Sequence, residues 1–173
     1  MNDVVIQGIW LIHLASTLYM VGLIWFVQIV HYPLLAIVGR SEFLIYEQEH
    51  VKWTTWVVSP MLFEFGTSLL LIWSRPRGIP AWTAWAGLSL LVMIWLSTVL
   101  IQVPCHRRLE QGYESEVHRR LVDSNWIRTI CWSLRGALVI WMVWVTSSPS
   151  PTSTQQPDRQ SSVPAASVWS LQP

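Results

Sequence analysis

Charge is scarce in this chain. Lys, Arg, Asp and Glu make up 12% of its 173 residues, about half of the ~25% found in ordinary soluble domains. The net charge is only +1, and the eleven basic residues are scattered between apolar stretches. Such a chain offers no field for a phosphate backbone, which excludes a nucleic-acid partner. Cysteine is equally sparse. Cys105 and Cys131 are the only two and lack C-x-x-C spacing, so neither a redox dithiol nor a structural zinc site is indicated, and no disulfide is expected between them. Phosphate-cradling glycine loops and nucleophile elbows are also missing. The start, Met1-Asn2-Asp3, has no positive n-region, and the apolar stretch behind it is too long for a signal peptide, so it reads as a retained first span.

What the chain does have is long apolar runs. Four of them, Val4 to Val30, Trp53 to Trp73, Ala81 to Val103 and Trp126 to Val145, reach the ~20 residues that a helix needs to cross ~30 Å of hydrocarbon. They are too long for strands. The 13 tryptophans agree: Trp53, Trp56 and Trp126 stand at one end of their spans, Trp73, Trp82, Trp85 and Trp144 at the other, as two interfacial belts require. The expectation is an all-α, integral membrane four-helix bundle over residues 1–146, followed by a disordered Ser/Pro/Gln tail over 147–173. The turn from Ser74 to Pro80 is short enough to make the second and third spans antiparallel neighbours. Arg40, Lys52, Arg107, Arg108, Arg119 and Arg120 lie on one side, Arg75, Arg77 and Arg159 on the other. That balance predicts a multi-pass protein of the inner (cytoplasmic) membrane with both long loops in the cytoplasm and both termini outside.

A faint duplication runs through the sequence. The first span ends Gln28-Ile-Val-His31-Tyr-Pro33 and the third Gln102-Val-Pro104-Cys-His106. Each is followed by a loop with a second histidine, His50 or His118, and then by a span with one central charge, Glu64 or Arg135. Two tandem helical hairpins in the same orientation would form a parallel repeat with any shared site at their interface; chance likeness between biased membrane sequences is the alternative.

Glu64 lies ~16 Å and Arg135 ~14 Å into their spans, counted from Trp53 and Trp126 at ~1.5 Å per residue. Charges at such depth face the bundle interior with a partner. The two are read either as an ion pair locking the second span to the fourth, or as a lining for a ligand or proton site with Glu64 as the catalytic proton acceptor. Arg128 sits seven residues before Arg135, on the same face. Alone it would snorkel to the headgroups; with Arg135 it would form a cationic stripe able to bind an anionic group. His13, Thr17, Gln28 and His31 share one face of the first span, and His13 reads as an interhelical hydrogen-bonding residue. Pro33 and Pro104 are expected to mark helix exits, and Pro60 to kink the second span and free a carbonyl near Trp56.

His31, His50 and His106 stand close to span ends on one side, with His118 further along, and Glu47 precedes His50 by three residues on one helical face. Imidazoles beside a carboxylate suit a transition metal or haem, so His31, Glu47, His50 and His106 are the candidate metal ligands, although no diagnostic metal spacing occurs. The cofactor itself stays unknown.

His31-Tyr32-Pro33, the stretch Tyr46 to His50, Pro60-Met61-Leu62-Phe63-Glu64, Gln102 to His106 and Asn125-Trp126-Ile127-Arg128-Thr129 together resemble a family of bacterial four-span membrane proteins without an established activity. More loosely, the chain resembles small anthrone-oxygenase-like membrane proteins, with Cys105-His106-Arg107-Arg108-Leu109 standing where an asparagine–leucine pattern would follow the third span. The resemblance implies the topology and puts weight on Glu64, His50, His106 and Arg128. Two functions are expected on these grounds. One is a membrane-embedded, metal- or haem-dependent oxidoreductase or oxygenase-like protein acting on a lipophilic or anionic small molecule in a polar cavity that opens to the cytoplasm. The alternative is a non-enzymatic lipid-binding or accessory subunit.

Overall fold

A computed structural model describes residues 2–147; of the tail expected over 147–173, Ser147 is the last residue of a helix and 148–173 lie outside the described residues. Four helices are long and apolar enough to cross a membrane: α1 (Asp3–Leu35), α2 (Phe43–Trp73), α3 (Ala81–Leu109) and α4 (Ser115–Ser147). Among the described residues there is no strand, and the chain forms a four-helix bundle. The Asn2 side chain caps α1 by accepting from the Val4 N–H at 3.2 Å, and Gly78 takes the positive φ of 89° that the α2–α3 turn requires.

Apolar length alone sets the spans expected from sequence, but the helices run further. They contain 33, 31, 29 and 33 residues, or about 44–50 Å at 1.5 Å per residue, well beyond the ~30 Å hydrocarbon layer. The two long loops are therefore mostly helix, reduced to residues 36–42 and 110–114. The prolines at Pro33 and Pro104 do not end their helices either. Each follows a π-helical segment, Val27–His31 in α1 and Thr98–Gln102 in α3, and then occupies the first turn of the resumed helix. The wider turn relieves the clash of the proline ring, and an N–H is not needed in a first turn. In α2 the outcome differs. The helix breaks between Val57 and Pro60, and the exposed Trp56 carbonyl is taken by the Ser59 N–H at 3.1 Å, while the Tyr19 hydroxyl donates to the Val57 carbonyl at 3.2 Å.

Each helix packs on its two chain neighbours, and α4 closes the ring against α1. The hairpins α1–α2 and α3–α4 correspond: both first helices carry a π-segment followed by proline, and Glu64 and Arg135 are 71 residues apart, as are Pro33 and Pro104. In that register Gln28 and Gln102 are not equivalent, so the duplication resides in backbone and charge positions rather than in the glutamines. One core, Met20, Ile24, Met61, Leu91, Ile94, Cys131 and Trp132, fills the middle of the bundle. A second, Tyr32, Leu35, Phe43, Cys105, Leu109, Val117 and Leu121, fills the overshoot at the end bearing the histidines. Cys105 and Cys131 are thus buried, unpaired thiols in different cores. The outward apolar side chains, including Trp53, Trp56, Trp73, Trp82, Trp85 and Trp144, are exposed in the isolated chain, as a lipid-facing surface requires.

Helices α1 and α4 approach closely at Gly136, where an added Cβ would lie 2.9 Å from Val21 Cγ2. Membrane helices associate through such small residues because lipid supplies no hydrophobic drive between them. Gly136→Ala is expected to destabilise the detergent-solubilised protein by about 1–3 kcal/mol, with Val21→Ala in the same chain restoring most of the loss. Thermal unfolding of the two variants checks this, and an unaffected Gly136→Ala would refute the tight contact.

Candidate functional site

Two polar clusters lie inside the bundle, and they differ in how completely their groups are satisfied. The first is near the middle of the helices. Glu64, fully buried, accepts from Arg135 through Nε at 3.1 Å and through Nη2. The Thr17 and Ser16 hydroxyls stand 2.7 and 3.0 Å from its two oxygens, and His13 Nδ1 lies 3.4 Å from Oε2. Arg135 also donates to Ser68 Oγ at 3.0 Å and to the Gly87 carbonyl, with its guanidinium 5.7 Å from the centre of the Trp132 ring. The Thr67 hydroxyl donates to the Phe63 carbonyl at 2.7 Å, which leaves its oxygen to accept from His13 Nδ1 at 3.0 Å. His13 is therefore an interhelical hydrogen-bonding residue. The void beside Arg135 measures about 20 Å³, room for one water. Glu64 and Arg135 meet, and the site they make is full.

The second cluster sits at the histidine end, where the overshoot of the helices carries it. From α1 come His31 and Tyr32, from α2 Tyr46, Glu47, His50 and Thr54, from α3 Gln102 and His106, and from α4 Arg128. Helical spacing explains each set: 47, 50 and 54 share one face of α2, and 102 and 106 one face of α3. Glu47, fully buried, accepts from His106 Nδ1 at 2.6 Å. With Glu47 as the carboxylate, which can only accept, the proton is on that nitrogen and His106 Nε2 faces the Tyr32 hydroxyl at 3.3 Å. The same hydroxyl lies 3.5 Å from Gln102 Oε1, so it can donate to one or the other. The His31 and His50 rings stack with centroids 4.4 Å apart, and those of His50 and His106 are 5.3 Å apart. His50 Nδ1 pairs with Thr54 Oγ1 at 3.1 Å. His118 Nε2 lies 2.9 Å from the Tyr32 carbonyl and ties α4 to the end of α1.

Beside this cluster is a cavity of about 400 Å³, within the range that takes a small molecule. Its inner wall is apolar, with Met20, Leu23, Ile24, Val58 and Met61; its outer wall is polar, with Tyr32, His50, Gln102, His106 and Arg128, and with Arg107 and Glu110 as two further charges of opposite sign. Arg128 is 8% exposed and faces Tyr32. It makes no ion pair among the described residues, and its Nε has no hydrogen-bond partner. It does not snorkel to the surface. Glu47 Oε2 and His31 Nε2 are also buried without partners. Native proteins pair nearly all such atoms, and exceptions gather at functional sites.

The expected site residues are therefore divided. His31, Glu47, His50, His106 and Arg128 come together; Arg135 and Glu64 belong to the other cluster, with the break in α2 separating Glu64 from His50. The imidazoles and Glu47 meet as a stacked and hydrogen-bonded group rather than as a coordination set: among the described residues no three His, Cys, Asp or Glu side chains could hold a metal ion. His106 Nδ1 is already committed to Glu47, and His50 Nδ1 to Thr54. Tyr32 and Gln102 were not singled out from sequence as site residues. Gln102 stood one turn before His106, a signal that could have found it, whereas Tyr32 was masked by the proline beside it. No family model, curated protein or solved structure matches the chain.

Proposed function

We propose that the protein binds, inside the bundle, a lipophilic molecule with an anionic head such as a carboxylate or phosphate. The observation that carries this reading is Arg128, a buried guanidinium that makes no ion pair among the described residues, on the wall of a cavity whose inner end is apolar. A buried cation without a counter-charge is costly, and intramembrane charges mark ligand paths. An acidic head would supply the missing partner through charge-assisted hydrogen bonds while the chain lies against Met20, Ile24 and Met61. Glu47 orients His106 so that its Nε2, with the Tyr32 hydroxyl, can take or return a proton at the head. A metal-dependent oxidoreductase has less support, since among the described residues no three His, Cys, Asp or Glu side chains are grouped to hold an ion. On the charge balance of the loops, we place the histidine end in the cytoplasm and the protein in the inner membrane.

The test is binding of dodecanoate to the protein in nanodiscs, compared with dodecyltrimethylammonium and dodecanol. Dodecanoate is expected to stabilise the protein, by about 2.7 kcal/mol at a hundredfold excess over Kd, and the cation not at all. Arg128→Met is expected to weaken dodecanoate binding by about tenfold to a hundredfold. Equal stabilisation by all three chains would refute recognition of an anionic head.

A further inference from the structure

A second cavity, of about 450 Å³, runs along the outside of the first hairpin, between α1 and α2. Its origin is the break in α2. Below the break, Pro60–Trp73 packs along α1; above it, the backbone of Phe43–Val57 lies against Val103–Leu109 of α3 instead. The two helices of the hairpin therefore part toward the histidine end. In the other hairpin, α4 is unbroken and stays against both the π-segment and the last turns of α3. The two hairpins share a plan, but the second helix is broken in the first hairpin and continuous in the other.

The groove has definite limits. At its lower end the Tyr19 hydroxyl reaches the Val57 carbonyl at 3.2 Å. At its upper end the His31 ring stacks on His50 at 4.4 Å and on Tyr46 at 6.4 Å. Its outer rim carries Phe26, Trp53 and Val57, all exposed apolar side chains on a membrane-spanning helix. Its inner wall is shared with the interior cavity: Leu23, Val27, His50, Thr54 and Val58 line both. Between the lipid-facing surface and the site of Arg128 there is thus one layer of side chains, hinged on the His50–Thr54 pair.

We propose that the groove between α1 and α2 is a lateral portal, through which the ligand passes from the bilayer to the interior cavity. The occupant is an alkyl chain: the groove is apolar along its length, lies on helices of membrane-crossing length, and is polar only at the end where His31, Tyr46, Glu49 and His50 stand. A single-chain amphiphile lying there would present its head to His50 and, beyond it, to Arg128. The ligand class is then a bilayer-resident single-chain acid rather than a water-borne anion. This rests on the binding function proposed above.

Nitroxide-labelled dodecanoate, partitioned into nanodiscs, separates the two ideas by electron paramagnetic resonance, because the bound label is immobilised and the lipid-dissolved label is not. Val57 and Trp53 line the groove but not the interior cavity. Val57→Trp is expected to slow both loading and release by about tenfold while leaving Kd nearly unchanged, since a barrier acts on both directions alike. Trp53→Ala, which widens the rim and needs no new packing, is expected to speed both. Ile130→Trp, on the exposed face of α4, should change neither. Unchanged rates in Val57→Trp and Trp53→Ala would overturn the portal while leaving the binding site intact. A weaker Kd with release unaltered would also overturn it, placing the groove within the bound site. No immobilised signal in the wild type would remove the binding reading itself.

Discussion

Glu64→Gln is expected to destabilise the detergent-solubilised protein by about 3–5 kcal/mol, because it strands the Arg135 guanidinium in the middle of the bundle. That guanidinium is 1% exposed and would keep neutral acceptors alone, Ser68 Oγ, the Gly87 carbonyl and the amide oxygen of the new glutamine, beside the face of Trp132. Adding Arg135→Gln removes the uncompensated charge and should restore part of the loss, a coupling of about 1–3 kcal/mol in the double-mutant cycle. Unfolding of the four proteins in one detergent measures it. If the two losses simply add, the pair does not act as a unit. The same variants should leave dodecanoate binding near the wild-type value wherever the protein is folded, since the void beside the pair, about 20 Å³, has no room for a ligand. Loss of binding in a folded double variant would instead give Glu64 a role in the site.

The second large effect is expected at His106. His106→Ala removes the hydrogen-bond partner of a fully buried carboxylate, Glu47, whose Oε2 already has none. The cost is expected to be about 3–5 kcal/mol, partly recovered by Glu47→Gln in the same chain. His50→Ala removes a stacked ring and a hydrogen bond to Thr54, a loss of about 0.5–1.5 kcal/mol. The two histidines are thus expected to differ, the one as half of a buried pair and the other as a wall of the cavity. Comparable losses in thermal unfolding, with neither rescued by Glu47→Gln, would argue against the Glu47–His106 pair.

The topology was legible because it depends on quantities local to the chain. A run of twenty apolar residues spans the bilayer whatever it packs against, and tryptophans at both ends mark the interfaces. The inward position of Glu64 and Arg135 was legible for the same reason: the cost of a charge in hydrocarbon does not depend on which helix is adjacent. Pro60 breaks its helix as expected, whereas Pro33 and Pro104 do not end theirs. Alone, Pro33 and Pro104 look like Pro60, and only the backbone before them decides whether a π-turn absorbs the ring or the helix breaks.

The division of the site residues shows where sequence reasoning stops. Arg128 and Arg135 share a face of one helix, and a helical projection puts them in one stripe. Seven residues are about 10 Å of rise, enough to place one arginine beside Glu64 and the other beside an open cavity. Likewise, helix faces bring Glu47 and His50 together, but cannot tell a convergent set of metal ligands from a stack of rings. That depends on the rotation and tilt of three helices at once, which packing of the second core sets.

By itself, then, the sequence determined four membrane-length helices and the inward placement of the buried charges, since hydrophobic length and the cost of desolvation act on each segment alone. Only the tertiary structure decided that Glu64 and Arg135 saturate one another, that Arg128 is left without a counter-charge over a cavity, and that the hairpin with the broken helix opens toward lipid. Each of these depends on which side chains from different helices reach the same few ångströms, and that is settled by how the helices pack.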